Sequence, residues 1–582
     1  MAQTSTPATP PTAGRTQNEI IEQVTADYIA GLDIDNPPPP RQIERELIAA
    51  TNFAFGLENA SRKRDNKILL LKTLTFSQVA QLMIHLHRVV KIAPSGKNSD
   101  PDYDLLGLYC GQGEDEGIYL TSEDQLRKVA RAYNREITIN MSREVFTVLR
   151  ESAPRVHRCS DRDLIAVNNG IFNYASKQLL PFDPEYVFVA KSRVDYDENA
   201  VSPVITMPDG EEWELEQWMA DLDDDPEVVE LLWEITGAVI RPHVRWNKSA
   251  WLYSNKGNNG KGSLVELMRN LCGAASHTSI PLTELGKDFM LEPLTRASAI
   301  IVDENDVGTF IDKAANLKAI ITNDVIMINR KNKVPISYQF WGFMVQCLNE
   351  FPRIKDKSDS FYRRQLFIHF TKCFTGRERR YIKDEYLSRE DVLRYALKRV
   401  LHMDYYVLSE PEATQAVLRE YKEYNDPVRG FWSEHRDSFA WDLLPFPFLY
   451  DMFRSWFSRT NPSGSPVGRN VFINDLLGVI DADPEWGCVD KQVAVRSAGR
   501  MDRPEPLIAA YELRTWYNPT YVVPKNGVPD LDKMCSPLLN PSYRGISRIT
   551  PSTPSTVPVS SLTLPPGVDI EFAEEPTTNP FG

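Results

Sequence analysis

Apolar positions recur at three- and four-residue spacing through RQIERELIAATNFAFG and FSQVAQLMIHLHRVVKIA, and again through SEDQLRKVARAYNREI and SREVFTVLRESA, predicting amphipathic helices. LLGLYCG and GIYLT between them read as a small hairpin, so residues 41–162 form a helix-rich N-terminal domain. From Asp163 the pattern shortens to LIAVNNGIFNYASKQLLPFDPEYVF, strands broken by Asn-Gly and Pro, giving a transition segment over 163–212. Helix returns over Trp213–Ile240 with Trp218, Leu222, Val229, Leu232 and Ile235 on one stripe. Short apolar strands then alternate with helices as far as residue 380, the texture of an α/β core. A helical linker follows over 381–425. Over 426–539 two helical runs, PFPFLYDMFRSWFS and VGRNVFINDLLGVI, precede strand-like VAVRSAG and AAYELRTWY, and helix, helix, hairpin predicts a winged-helix-like domain.

The ends differ in texture. Residues 1–40, rich in Ser, Thr and Pro and closing on PPPP, read as a flexible arm with room for a short helix near Asn18–Ile29. Residues 540–582 read as a disordered tail ending in acidic DIEFAEEP. The 42% hydrophobic and 25% charged residues are those of globular protein, and no apolar run reaches membrane-spanning length. No secretory or organellar address is read at the N-terminus, so a cytoplasmic location is expected, host cytoplasm if the chain is viral. Seven cysteines without a CxxC pair argue against a disulfide frame or a zinc ribbon. A net charge of −14 opposes non-specific coating of nucleic acid but leaves room for a local basic groove.

One stretch stands apart. SAWLYSNKGNNGKGSLVELMRNLCG runs apolar strand, glycine-rich turn, Lys261, then a helix with Leu264, Leu267, Met268 and Leu271 on one side. Such a turn lets backbone N–H groups close on an anion while the helix presents its positive end and Lys261 reaches the outer phosphates. The candidate phosphate-binding residues are Gly257, Asn258, Asn259, Gly260, Lys261, Gly262 and Ser263. The strict pattern is not met: Asn255 stands where its first glycine belongs, Gly262 follows Lys261, and the hydroxyl of Ser263 comes one place late. Downstream, TRASAIIVDENDVG predicts a buried strand delivering Asp303, which holds Mg²⁺ directly or through water with Ser263 or no hydroxyl beside it, and Glu304, which orients or deprotonates the attacking water. A further strand, Phe343–Leu348, ends at Asn349, placed to sense the γ-phosphate. Arg363 and Arg364 follow it, placed to stabilise transferred charge in a neighbouring subunit.

In this order the motifs resemble the superfamily 3 helicase core of phage and plasmid primase-helicases, a family that includes poxvirus replicative ATPases. NNGIFNYASKQLLPFDPEYVF is similar to the segment preceding the ATPase, GNNGKGS to the family loop, and LNEFPRIKDKSDSFYRRQLFI to its Asn-Glu-x-Pro…Arg-Arg stretch. The resemblance implies a multidomain α/β chain with a P-loop, AAA+-like ATPase core over 213–380. It implies ATP and Mg²⁺ as cofactors, a homo-oligomer, a hexameric ring, single-stranded and forked DNA as substrate, and replication proteins of phage or host as partners. The function expected is an ATP-dependent replicative DNA helicase. An origin-binding initiator whose ATPase drives assembly, and a packaging-type DNA translocase, stay open beside it.

NDVIMINRKNKVPISYQF reads as a hairpin with a basic tip of Arg330, Lys331, Asn332 and Lys333, which the resemblance makes the DNA-tracking element. Lys318 is a weaker candidate for the same surface, and Arg496, Arg500 and Arg503 are candidates for duplex DNA in the C-terminal domain. The two histidines of HLH, His85 and His87, point to different faces of a helix, and Asp102 and Asp104 of DPDYD are read as a solvated turn and not as a primase site.

Overall fold

The computed structural model describes residues 15–549, apart from 35, 97–98, 332, 377–378, 461–464, 482 and 523–528. Its contacts divide into two compact units, Met1–Asp426 and Pro427–Gly582.

In the first unit the short helix expected near Asn18–Ile29 is present. Thr16 and Glu19 form a reciprocal capping box on the helix Gln17–Ala30, whose Ile20, Ile21 and Ile29 are buried, so the second half of the expected arm is packed structure. The first fourteen residues lie outside the described ones. Pro40 is the first residue of the next helix, Pro40–Asn59, where a missing N–H costs nothing. The run from Phe76 splits. Helix ends at Leu86, Arg88 takes a positive φ of 48°, and Val90–Ala93 becomes a strand because β-branched Val and Ile suit it. That strand lies between Leu105–Tyr109 and Arg155–His157 in a four-stranded sheet ending on Tyr119–Leu120. The transition segment is an antiparallel meander of Leu164–Val167, Gly170–Asn173 and Gln178–Leu180.

The core follows. Helix α1, Pro226–Ala238, starts on an Asp225 cap and is separated from Leu215–Ala220 by the acidic turn DLDDD, so the predicted single helix is two. Strand β1 is Ser249–Tyr253, helix α2 Lys261–Cys272, β2 His277–Thr278, β3 Ala299–Val302, α3 Ala315–Ile321, β4 Val325–Ile328, β5 Ile336–Gln339, β6 Phe343–Leu348, β7 Gln365–His369, α4 Glu390–Leu401 and α5 Glu412–Asn425. Five of these make a wholly parallel sheet in the order β2-β3-β6-β1-β7. Every residue of β1, β3 and β6 is buried, as expected of a parallel sheet covered on both faces. Ala250, Leu252, Ile301 and Val345 face Ile235, Leu267 and Leu397 of α1, α2 and α4. Trp251, Ile300, Met344 and Phe367 face Leu317 of α3, Ile336 of the β4–β5 hairpin and Tyr421 of α5. The stretch 381–425, read as a linker, is therefore part of the core, since α4 and α5 each close one face of the sheet.

His243 shows what this packing does to a titratable ring. It lies with ring centroids 6.5 Å from Phe188 and 6.1 Å from Trp341, and burial pushes its pKa down to about 3. The unfolded chain takes up the proton near pH 6.5 while the folded chain refuses it, so stability is full above pH 6.5 and falls as pH drops. By pH 5 this one ring should cost about 2 kcal/mol of unfolding free energy. His243→Phe should remove that share of the pH dependence in denaturant melts; an unchanged slope between pH 6.5 and 5 would contradict it.

The second unit packs helices α6, Pro427–His435, α7, Phe446–Thr460, and α8, Arg469–Ile480, around an aromatic core of Phe431, Trp432, Trp441, Phe448, Phe453 and Trp486. Its strands are β8, Leu443–Pro445, β9, Trp486–Gly487, β10, Val495–Arg496, β11, Ser542–Tyr543, and β12, Gly545–Arg548. The two predicted helices are present, but the predicted hairpin is not formed. Of VAVRSAG only Val495–Arg496 is extended, and AAYELRTWY is a helical turn at Leu507–Ala510 and another at Arg514–Trp516. Buried Glu505 explains the difference: its carboxylate accepts from the Ala440, Trp441 and Leu507 N–H groups and fixes a turn there. The tail reading is corrected too. β12 is the middle strand of β8-β12-β9, and β11 pairs with β10, so the fold continues through Arg548. Residues 550–582 lie outside the described ones.

Candidate active site

Strand order decides which tips meet. β6 lies between β1 and β3, and all three run the same way, so the turns after Tyr253, Val302 and Leu348 emerge side by side at one edge of the sheet. The turn after β1 begins tied to β6, with the Ser254 N–H donating to the Leu348 carbonyl at 3.1 Å. Its far side is held by the chain beyond β7, where the Phe374 N–H donates to the Asn258 carbonyl at 2.7 Å. Asn258 and Gly260 take positive φ of 53° and 88°. Glycine suits 260 because a φ of 88° strains any residue with a side chain, and a Cβ there would also press on the Leu222 Cδ2 at 2.5 Å. Helix α2 starts at Lys261 with Gly260 as a cap lacking a side chain, and its first internal bond is Leu264 N–H to Gly260 carbonyl. Gly262 and Ser263 thus offer first-turn N–H groups at the positive end of a twelve-residue helix, and Gly257 and Asn258 are exposed beside them. Asn259 is buried and accepts the Lys261 N–H on its Oδ1 at 3.3 Å, which shapes the turn from inside.

Lys261 is 6% exposed, and its Nζ donates to the Ser254 carbonyl and to Asn349 Oδ1, each at 3.4 Å. Burial pushes its ammonium below the usual lysine range. Asp303 abuts the helix start: a Cβ on Gly262 would lie 3.3 Å from Asp303 Oδ1 and 3.1 Å from Lys383 Nζ. This crowding is a physical reason for glycine at 262, where the strict motif has Ser or Thr. Asp303 Oδ2 is 3.9 Å from Arg269 Nη1 and 3.8 Å from Lys383 Nζ. Glu304 is exposed at the same tip. Asn305 is spent on structure, its Nδ2 donating to Gln346 Oε1 and to the Cys347 carbonyl.

The structure thus joins Lys261, Asp303 and Asn349, and adds Arg269 and Lys383. Arg269 lies two turns along α2 from Lys261, a helical spacing visible in sequence. Lys383 arrives from a short helix 80 positions beyond Asp303, and no local pattern marks it. The arginine pair is elsewhere. Arg363 and Arg364 precede Gln365, which pairs with Ser249 at the start of β1, so the site past Tyr253 lies about 13 Å further along the strands. Arg364 donates to the Ser360 hydroxyl at 2.7 Å and to its carbonyl, whereas Arg363 is exposed.

The basic hairpin tip differs from expectation. Arg330 donates twice to the Val334 carbonyl, at 3.1 and 2.8 Å, and Lys333 Nζ stands 3.5 Å from Glu123 and 3.9 Å from Glu292. Two of its three cationic side chains are therefore bonded within the chain, Lys331 is exposed, and Asn332 lies outside the described residues. Lys318 pairs with Asp356 at 2.6 Å. Asp104 is no solvated turn: both its oxygens accept from Arg155, at 2.7 and 3.0 Å. His87 bonds the Tyr133 hydroxyl at 2.8 Å. Among the described residues no group of His, Cys, Asp and Glu is arranged to hold a metal, and no helix is long and apolar enough to cross a membrane.

Fold and site define a multidomain α/β protein with a strand, glycine turn, lysine and helix at the edge of a parallel sheet, beside an acidic strand tip and a polar one. Residues 119–223 match the family described as D5 N terminal like, and residues 252–364 match a family of unknown function, DUF5906. These two segments bear out the resemblance to the superfamily 3 primase-helicase type. No curated protein matches the chain. Among solved structures, the apo structure of NrS-1 C terminal region (305-718) is 14% identical with a TM-score of 0.38, over 72% of this chain and 96% of that one. The A form apo structure of NrS-1 C terminal region-CTR is 13% identical with a TM-score of 0.35, over 70% and 87%.

Proposed function

We propose that this chain is an ATP-dependent replicative DNA helicase that acts as a ring, a hexamer in the resemblance, and moves on single-stranded DNA. The observation that carries the reading is the meeting of the Gly257–Ser263 turn, Lys261, Asp303 and Asn349 at adjacent strand tips. Free first-turn N–H groups and Lys261 receive the triphosphate, and Asn349 reports its γ-end through the hydrogen bond it shares with Lys261. Asp303, with or without the Ser263 hydroxyl, fits Mg²⁺, because its carboxylate stands against the bare Gly262 at the helix start. Mg²⁺ held there would supply positive charge against the phosphate tail. Glu304, exposed at the same tip, orients and deprotonates the water that attacks the γ-phosphate. Arg363, too far from its own site, stabilises transferred charge in a neighbouring copy.

The test is strand separation of a forked DNA by the purified chain with ATP and Mg²⁺. Unwinding that requires hydrolysable ATP supports the reading; duplex binding without unwinding or turnover sinks it. Within the hairpin, the exposed lysine should matter more. Lys331→Ala is expected to flatten the salt dependence of single-strand binding by about one unit in the log–log slope, with Lys333→Ala changing it less because Glu123 and Glu292 already hold that charge. Fluorescence anisotropy across a salt series reads both.

A further inference from the structure

The second unit holds a cavity of about 700 Å³ between the start of α7, one side of α8 and the segments that carry β10 and β11. Three cations, Arg469, Lys491 and Arg544, and three amides, Asn470, Asn474 and Gln492, are in its lining. Among the described residues no carboxylate lines it, in a chain with 80 acidic residues against 66 basic ones. Asp490, adjacent to Lys491 in sequence, turns its Oδ1 onto the Gln492 N–H at 2.8 Å. The cavity of about 630 Å³ in the first unit is the opposite case, with Asp104, Glu123 and Glu292 set among Arg127, Arg330 and Lys333, so that it neutralises itself.

What holds two of the three cations in place is neutral. Lys491 Nζ donates to Asn474 Oδ1 at 3.3 Å and Arg544 Nη1 to Gln492 Oε1 at 3.1 Å, bonds that orient the side chains and leave their charge uncompensated. Arg469 is the first residue of the twelve-residue α8, whose Gly468 cap has no side chain and whose first turn has no acidic residue. An arginine at the positive end of a helix is electrostatically the wrong sign, and so are three cations gathered around one depression. Both arrangements become favourable when an anion enters.

From this we infer that the cavity is a DNA-binding site that takes the phosphodiester backbone, with Arg469, Lys491 and Arg544 each neutralising a phosphate. Asn470 and Asn474, four apart on one face of α8, carry the amide groups that pair with base edges. The site is separate from the nucleotide site and from Arg496, Arg500 and Arg503, the cations that sequence alone singles out in this unit.

The experiment uses the full chain without nucleotide and fluorescein-labelled single-stranded and duplex oligonucleotides of about 30 units, long enough to cover several phosphate contacts, across a salt series. Replacing Arg469, Lys491 and Arg544 together by Gln should weaken binding more than about tenfold at low salt and make the log–log slope less negative by about 2 to 3. Lys491→Gln alone should change the slope by somewhat under one unit, and an unchanged melting midpoint shows that either variant is folded. A matched triple, Arg454→Gln, Arg459→Gln and Arg514→Gln, removes three exposed charges outside the cavity and should keep most of the slope. Greater loss with single strand or with duplex tells which form the cavity takes. An unchanged slope in the cavity triple, or equal loss in both triples, overturns the proposal. Neither result touches the ATP site, whose failure would show in turnover without DNA.

Discussion

ATP turnover by the Lys261→Ala chain is expected to fall at least about a hundredfold, to the level of removing a preorganised donor from a transition-state site, and to about a thousandfold if charge on the γ-phosphate is the larger part. The side chain is buried and donates to Asn349 Oδ1 and the Ser254 carbonyl, so it is aimed before any ligand arrives. Its removal should not unfold the protein. A buried lysine whose ionisation burial already disfavours contributes little net stability, and the melting midpoint should hold or rise. Lys261→Arg should not rescue turnover, because a planar guanidinium does not fit the place of a compact ammonium. A lysine that served only the fold would show the reverse: lost stability with turnover intact.

Arg363→Ala is expected to leave ATP binding unchanged and to lower turnover by about a thousandfold, the scale of a trans-acting arginine. Its place at the opposite end of the strands from Lys261 forbids a role in its own site. Arg364→Ala should act differently, by loss of the bonds to Ser360 at a cost of about 1 to 2 kcal/mol in stability. Mixing decides the matter. Arg363→Ala chains and Lys261→Ala chains, each inactive, should recover part of the turnover when combined, because some junctions then join an intact lysine to an intact arginine. Absence of recovery, in mixtures shown to co-assemble, would remove Arg363 from the neighbouring site.

The site was legible where chemistry and chain order coincide. Strand, glycine turn, Lys261 and helix are contiguous, and Asp303 and Asn349 each end an apolar run, so their residue types and positions announce them. That β6 lies between β1 and β3 is a matter of pairing between distant segments, and so the hydrogen bond from Lys261 to Asn349 is visible only in the fold. Lys383 was hidden for the same reason. Misreadings arose where local pattern met tertiary demand. Strand Val90–Ala93 continues a helical run in sequence, and α4 and α5 read as a linker because their amphipathic faces do not name the sheet they cover. The side chains of Arg330 and Lys333 look free in sequence, yet the Val334 carbonyl bonds the first and Glu123 and Glu292 stand against the second. In the second unit, Glu505 settles a turn where β-rich composition predicts a strand.

Calorimetric titration of ATP with millimolar Mg²⁺ into the purified chain asks the central question, whether the Gly257–Ser263 turn closes on a triphosphate. One saturable site per chain is expected, absent from the Lys261→Ala variant and weakened in Gly260→Val, where a β-branched residue would have to take a φ of 88°. No uptake by the unaltered chain, or equal uptake by the Lys261→Ala variant, would contradict it.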